Sequence, residues 1–330
     1  MSGRIEGIEI LGTGYYVPEK VLTNKELESR LDTTDEWIVT RTGIRERRIA
    51  SPEETTLSMA YYASEKAIQK AKIEPGEIGL IIVATATPDM IFPATAAQLQ
   101  EKIGATNAGA FDLSIGCTGF IYALVTGALY TKVLYPQKVL VVGAEKLSAI
   151  VDWQDRSTAV LFGDGAGAVI LGVNPQKAGI LAFELGADGS GAELLKLPAG
   201  GSKLPASAET VEKRLHFIKM NGSEVFKFAV KKIEESVNGL LEKAKLQPDD
   251  IDLYLFHQAN RRIIVNSLER LALDIEKTFI NIELYGNTSA ASIPIALDEA
   301  IHAGKLKKGD KLLLSGFGAG LAWGGLIMEY

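Results

Sequence analysis

Two apolar patterns alternate along the chain. Short unbroken runs such as GLIIVATATP (79–88), KVLVVG (138–143) and GAGAVILGV (165–173) have strand length and no polar face, as expected of strands covered on both sides. AFDLSIG (110–116) predicts one more strand. Between these runs, TTLSMAYYASEKAIQKAKI (55–73) places apolar residues at helical spacing, with Thr55 or Thr56 able to cap its start. Further helices are expected at PATAAQLQEKIG (93–104) and TGFIYALVTGALYTKVL (118–134). Strands separated by helices predict parallel βαβ units with helices on the sheet faces, an α/β fold.

The pattern also repeats. KAKIEPGEIGL (70–80) is matched by KAKLQPDDIDL (243–253), an offset of 173 (243 − 70), and at the same offset KVLVVG lands on KLLLSG (311–316). A constant offset over about 70 residues argues for two copies of one unit. The second copy runs from VFKFAVKKIEESVNGLLEKAKL to GGLIMEY. Two similar halves are therefore expected, 1–173 and 174–330, with a boundary near 172–180. The stretch 184–216, rich in Gly, Pro, Ser and charge, reads as an excursion and a candidate wall for a site.

Composition narrows the function classes. The 330 residues are 47% hydrophobic and 23% charged, with a net charge of −6, which is ordinary globular composition without the basic excess of a nucleic-acid binder. A single cysteine excludes an intrachain disulfide. MSGRIEGIEILGTG lacks the apolar core and cleavage site of a signal peptide. No apolar run approaches the roughly 18–20 residues of a membrane span, so a cytoplasmic protein is expected.

Cys117 lies in SIGCTGF, after a strand and at the start of a helix. The helix N-terminus is expected to favour thiolate and lower the thiol pKa below its usual ~8.5, and Gly116 and Gly119 leave room for a substrate. A buried, inert cysteine is the alternative. Of three histidines, His302 sits in the last turn of ALDEAIHAGK, where a capping role suffices, and His216 in RLHFIKM suits a strand surface or pocket wall. His257 ends the strand IDLYLFH, and carboxyl ends of strands are where open α/β sheets bind ligands. Asn287, in YGNTSAASIP, precedes a helix and by itself reads as an N-cap. The repeat changes these odds. Cys117 shifted by 173 falls on Ala290, three residues past Asn287, while VATATP shifts onto FHQANR. The three residues thus occupy equivalent turns that pseudo-twofold packing brings together.

Other motifs fit around that locus. FGAGLAW (317–323) follows a buried strand, so its amides can face an oxyanion. GDGAGA (163–168) runs into a strand and not a helix, which excludes a phosphate-cradling loop. One cysteine and three scattered histidines give no zinc-type spacing, so neither metal nor cofactor is expected. The arginines of RTGIRERR (41–48), with Arg261 and Arg262, suit a solvated face, phosphates or an acidic protein partner, and Trp37 offers a surface for a base to stack on.

The ordered set TTDEWIVTRTGIRERR, CTGF, FGDGAGA, ADGS, GSEVFK, HQANRR, GNTSAAS and FGAGLAWG resembles the β-ketoacyl-acyl-carrier-protein synthase III family over nearly the whole chain. The resemblance implies the thiolase fold, two βαβαβαββ halves in α-β-α-β-α layers, and a decarboxylative condensation that initiates fatty-acid synthesis. Cys117 would accept a short acyl group from acyl-CoA, malonyl-acyl-carrier protein would supply the carbanion, and the products would be 3-oxoacyl-acyl-carrier protein, CoA and CO2. It further implies His257 and Asn287 as donors to the enolate, and the amides of Cys117 and Ala319 as donors to the acyl oxygen. Position 319 is more often glycine in that family. Thr33, Trp37, Arg156, Gly222 and Asn260 match CoA contacts, and Gln258, Ala259, Asn260, Arg261, Arg262 and Lys227 match the carrier-protein surface, although Glu269 beside Arg270 replaces a common lysine pair. Leu147, Phe162, Leu195 and Ile218 match the acyl pocket, and Phe92 a residue reaching across a homodimer interface. Three rivals remain open: the same condensation with malonyl-CoA or another extender, a cysteine hydrolase suggested by the order Cys117…His257…Asn287, and a non-catalytic CoA- or carrier-binding scaffold.

Overall fold

In a computed structural model describing residues 1–330, the first half begins with strands β1 (Ser2–Ile5) and β2 (Ile8–Tyr16). An insertion carrying helix α1 (Asp35–Thr42) leads to α2 (Thr56–Ala71), which opens on a Thr55 capping box in which the hydroxyl accepts from Ser58 N. The chain continues through β3 (Ile78–Ala84), α3 (Thr95–Ile103), β4 (Gly109–Leu113), α4 (Gly119–Leu134), β5 (Lys138–Glu145) and β6 (Gly165–Val173). The second half follows with β7 (Ile180–Ala187), α5 (Gly222–Ala244), β8 (Leu253–Phe256), α6 (Arg261–Leu271), α7 (Ser292–His302), β9 (Lys311–Gly318) and β10 (Ala322–Glu329).

The offset of 173 reaches into local geometry. Helices α2 and α5 both end on a lysine in the left-handed region, Lys72 (φ 54°) and Lys245 (φ 56°). Each is followed by a 3-10 turn, Pro75–Glu77 and Pro248–Asp250. One sheet has the order β2-β6-β5-β3-β4 and the other β1-β7-β10-β9-β8, so like strands take like places. Where the first sheet has β4, the second keeps only a bridge between Tyr254 and Thr278. Strand β1 joins the second sheet by pairing antiparallel with β7.

The sheets are mixed, which corrects the parallel expectation in part. β3, β4 and β5 are parallel, as are β8 and β9. β6 and β10 follow their predecessors without a crossover helix and so pair antiparallel. Alternation in β5 divides the core: Val139 and Val141 face the central helices, while Leu140 and Val142 face α2 and α3. On the other side, α5 and α6 cover Tyr254, Phe256, Leu313 and Ile327. The result is a five-layered α-β-α-β-α stack with α4 and α7 in the middle.

Two further expectations change. Residues 184–187 belong to β7, so the excursion starts after the strand. The segment Gly116–Leu134, 19 residues with mean hydropathy 1.3, is long and apolar enough to cross a membrane, contrary to the expectation that no such run exists. Here it is the central core helix: Phe120, Ile121, Leu124 and Val125 are buried between the two sheets. A helix apolar all round is what a position between two sheets demands.

Candidate active site

The candidate residues gather where parallel strands end. The 3-10 turn Gly116–Thr118 follows β4, and its counterpart Ser289–Ala291, again 173 residues on, precedes α7. The two turns pack against each other at the centre of the molecule. Gly116 has φ +59°, and a Cβ at Gly318 would lie 2.8 Å from the Cys117 amide nitrogen. Only glycine lets the end of β9 come that close. The neighbouring Ala319 backbone nitrogen lies close to Gly116 as well, so the Cys117 and Ala319 amides share one corner.

Cys117 is half-buried at the base of this corner. Burial pushes its thiol up to about 11, the Glu145 carboxylate raises it further, and the Ser289 hydroxyl and Cys117's own amide act the other way. The direction is opposite to the expected thiolate, and its first cause is desolvation by the packed halves.

His257 follows β8 and is 1% exposed. Its backbone N–H donates to Ser315 O at 2.9 Å. Ring Nδ1 lies 2.6 Å from Ser292 Oγ, and that same oxygen accepts from Gln258 N at 3.3 Å. The Ser292 hydroxyl, accepting from the Gln258 amide with one lone pair, keeps its own hydrogen available for Nδ1, and the tautomer that uses it carries the ring hydrogen on Nε2. Nε2 is buried without a protein partner. Burial holds the imidazole down to about 3, so it is an uncharged donor.

Asn287 is clamped through its backbone, with N donating to Leu161 O at 2.8 Å and O accepting from Gly163 N at 3.1 Å. Its side-chain Oδ1 accepts from Ser289 N at 2.8 Å, which leaves the amide NH2 as its remaining donor. It caps its own turn and not helix α7, whose N-cap is Ala291.

Cys117, His257 and Asn287 line one cavity of about 690 Å³, together with Phe162, Leu195 and Phe317. At its mouth stand Trp37, Gly222, Lys227, Ala259, Asn260 and Arg262. The Arg262 guanidinium lies 5.5 Å from the Phe226 ring centroid. Leu147 and Ile218 pack beside Phe162 in a small buried cluster behind the cavity wall. Arg156 rests directly on Trp37, 5.0 Å from the ring centroid, and hydrogen-bonds Asp32 O. A base entering between them requires two stacking gaps of roughly 3.5 Å, so the guanidinium must swing away. Thr33 is half-buried near this insertion with an unpartnered hydroxyl.

Several expected residues lie elsewhere. Gln258 is 1% exposed, donating to Phe256 O and accepting from Asn281 N; it braces the core and presents nothing to a carrier protein. Arg261 is exposed and does not line the cavity; its Cβ packs against Gly43. Phe92 is 83% exposed and touches no part of the cavity within this chain. His216 is bonded to Thr210 Oγ1 at 2.9 Å in a turn, and the His302 Nδ1–H donates to Asp298 O at 2.8 Å in the last turn of its helix. Sequence inspection passed over Ser289, Ser292 and Glu145. Ser289 and Ser292 stand inside GNTSAAS, where a run of small residues hides them, and Glu145 is one polar residue ending an apolar strand.

Models of the 3-oxoacyl-[acyl-carrier-protein] synthase III family match residues 111–189 and, for the C-terminal part, 241–330. A β-ketoacyl-[acyl-carrier-protein] synthase III of Caldanaerobacter subterraneus subsp. tengcongensis is 54% identical over 321 residues, covering 97% of each chain. One from Natranaerobius thermophilus is 51% identical over 325 residues, covering 98% of this chain and 99% of its own. The crystal structure of 3-oxoacyl-[acyl-carrier-protein] synthase III from Aquifex aeolicus VF5 superposes with a TM-score of 0.91 at 49% identity, covering 98% of this chain and all of that one.

Proposed function

Because the chain belongs to the β-ketoacyl-acyl-carrier-protein synthase III family, the cofactor-independent condensing acyltransferases that initiate fatty-acid synthesis from acyl-CoA and an acyl-carrier protein, we propose how its own residues divide the reaction. Cys117 Sγ attacks the acyl-CoA carbonyl and expels CoA, leaving an acyl thioester. Malonyl-acyl-carrier protein then loses CO2, and the resulting carbanion attacks the acyl-Cys117 carbonyl. The Cys117 and Ala319 amides receive the acyl oxygen. The His257 Nε2–H and the Asn287 NH2 receive the thioester oxygen as it becomes an enolate.

One observation carries this assignment. His257 and Asn287 each have their other side-chain polar atom already engaged, by Ser292 and by Ser289 N, so each has one donor left in the cavity that holds the thiol. Two neutral donors suit an oxygen that gains negative charge only during reaction. A hydrolase needs a base beside the sulfur, and an imidazole held down to about 3 is too weak to be one. We read residues 1–173 as the half supplying the nucleophile and 174–330 as the half supplying both donors, in a cytoplasmic enzyme.

Trp37, Arg156, Thr33, Gly222 and Asn260 form the proposed CoA approach. Arg262 and Lys227 form the proposed docking edge for the acidic carrier, with Ala259 and Asn260 between them and the cavity. The test compares malonyl-carrier protein with malonyl-CoA. Arg262→Glu is expected to lower kcat/KM about 10-fold for the carrier substrate and less for malonyl-CoA, with the gap closing at high salt. Equal loss for both would remove the docking role, and a wild-type preference for malonyl-CoA would favour another extender.

We also propose a homodimer. Strand β4 is one of the two edges of its sheet, and Ile91, Phe92, Val133 and Tyr135 are exposed apolar residues. A bare edge beside an apolar face is what a second copy covers. Sedimentation is expected to show a dimer, and Phe92→Ala to leave it intact while changing the relative rates with long and short acyl-CoA. A monomer would sink this proposal.

A further inference from the structure

The insertion that carries Trp37 rests on a buried cation that no step of the condensation uses. Arg47 lies in a two-stranded ribbon, Val21–Thr23 with Glu46–Arg48, and is 0% exposed. Its guanidinium bonds only neutral acceptors. Nη1 donates to Leu22 O at 3.1 Å and to Asn24 Oδ1 at 2.9 Å, and Nη2 donates to Val160 O at 2.8 Å. Nε is buried without a partner. Burial lowers the group to about 10, so it stays charged at neutral pH. A buried cation without a carboxylate is costly, and an apolar side chain would fill the same core at less expense. What an apolar side chain lacks is a planar fork that can hold two separate segments at once.

Each arm of the fork leads to a part of the site. On one side, Val160 lines the cavity, and the next residue, Leu161, supplies the carbonyl that accepts from Asn287 N. The stem of Arg47 packs on the same clamp: a Cβ at Gly163 would lie 3.1 Å from Arg47 Cβ, and one at Gly286 3.3 Å. Gly163 N donates to Asn287 O, and Gly286 precedes Asn287 in the chain. On the other side, Asn24 is 1% exposed and passes the link on, its Nδ2 donating to Asp35 Oδ1 at 2.7 Å and to Ile44 O at 2.8 Å. Asp35 opens α1 two residues before Trp37. Leu22, Leu27, Ile38 and Ile44 join the insertion to Val160 in one buried cluster. Arg47 itself does not line the cavity.

We propose that Arg47 is a positioning residue for both partial reactions, its Val160 arm fixing the Asn287 donor and its Asn24 arm fixing the Trp37 helix for the CoA base. This role rests on the assignments of Asn287 and Trp37 given above. The arms can be told apart because the substrates differ. Acyl-CoA brings a base to Trp37, whereas malonyl-carrier protein and a simple acyl-pantetheine thioester bring none.

Asn24→Ala cuts the arm to α1 alone. It is expected to raise KM for acyl-CoA in forming the Cys117 adduct about 10-fold, within the worth of one stacked base. KM for acyl-pantetheine, and CO2 release from malonyl-carrier protein on the Cys117→Ala background, are expected to stay unchanged. Arg47→Met cuts both arms. It is expected to give the same rise in KM for acyl-CoA and to lower kcat for CO2 release about 10–100-fold, as for a donor displaced by about 1 Å, with KM for the carrier substrate unchanged. Arg47→Lys keeps the charge and loses the fork, so both effects are expected in lesser degree; it decides in place of the Met variant if that protein does not fold. An equal rise in KM for acyl-pantetheine and acyl-CoA in Asn24→Ala would mean general damage and overturn the role. So would CO2 release unchanged in the Arg47 variants, or lost equally in Asn24→Ala. A wild-type protein that forms no adduct at all would instead overturn the reading of the site.

Discussion

Cys117→Ala is expected to abolish acyl transfer altogether: no mass increase after incubation with acyl-CoA, and no 3-oxoacyl product. Alanine has no group able to form the thioester. The two other candidate residues do not substitute, because the Asn287 amide is not a nucleophile and the His257 imidazole is buried and uncharged. The fold is expected to survive, since the cysteine is half-buried and alanine occupies the equivalent position, Ala290, in the second copy. Cys117→Ser is expected to be nearly as inactive, because a hydroxyl is far less acidic than a thiol that burial already holds near 11. An adduct of one acyl mass on the alanine variant, or normal condensation by it, would end the covalent scheme.

The doubled architecture was legible because it rests on what sequence records best. Buried strands appear as apolar runs, and the two Lys-to-Pro corners, 72–75 and 245–248, carry the same turn chemistry. Cys117 and His257 stood out as polar residues just past strands and Asn287 as one ahead of a helix, and the repeat supplied the long-range contact that local patterns lack. Less visible was anything set by packing depth. The thiol was expected to ionise easily because a helix start is readable, whereas the desolvation that opposes it arises only when residues 116–118 and 289–291 close on each other. Gln258 read as exposed because it lies in a polar turn, yet its amide is spent on Phe256 and Asn281. Ser292 and Ser289 read as part of a small-residue helix start, and their roles exist only through His257 and Glu145, 35 and 144 residues away. Mixed strand directions follow from connections without a crossover helix, a tight return for β9–β10 and, for β5–β6, a longer loop with only the short helix Arg156–Ala159.

The donor pair gives the other large expected effect. Decarboxylation can be isolated by measuring CO2 release from malonyl-carrier protein on the Cys117→Ala protein, which cannot acylate. Adding Asn287→Ala or His257→Ala is expected to slow that release by about 10²–10³ each, the usual loss for one donor to a developing oxyanion. The same single substitutions in the Cys117 enzyme are expected to leave the acyl adduct forming at a rate within a few-fold of wild type, because neither donor faces the acyl oxygen in the proposed arrangement. Acidity supplies an independent check. His257 is held down to about 3, below its ordinary value of 6.5, so the ring stays uncharged as pH falls through 6.5 and gains a proton only near 3. Decarboxylation by the Cys117→Ala protein is therefore expected to stay flat between about pH 5 and 8, while acylation by the Cys117 enzyme varies over that range. A loss of CO2 release centred near pH 6.5 would mean that His257 titrates freely, and the neutral-donor role would fall. Ser292→Ala sharpens the point, since it leaves both donors in place but frees Nδ1 to carry the proton. Part of the ring population then presents a lone pair at Nε2, and the loss should fall on CO2 release and not on acylation.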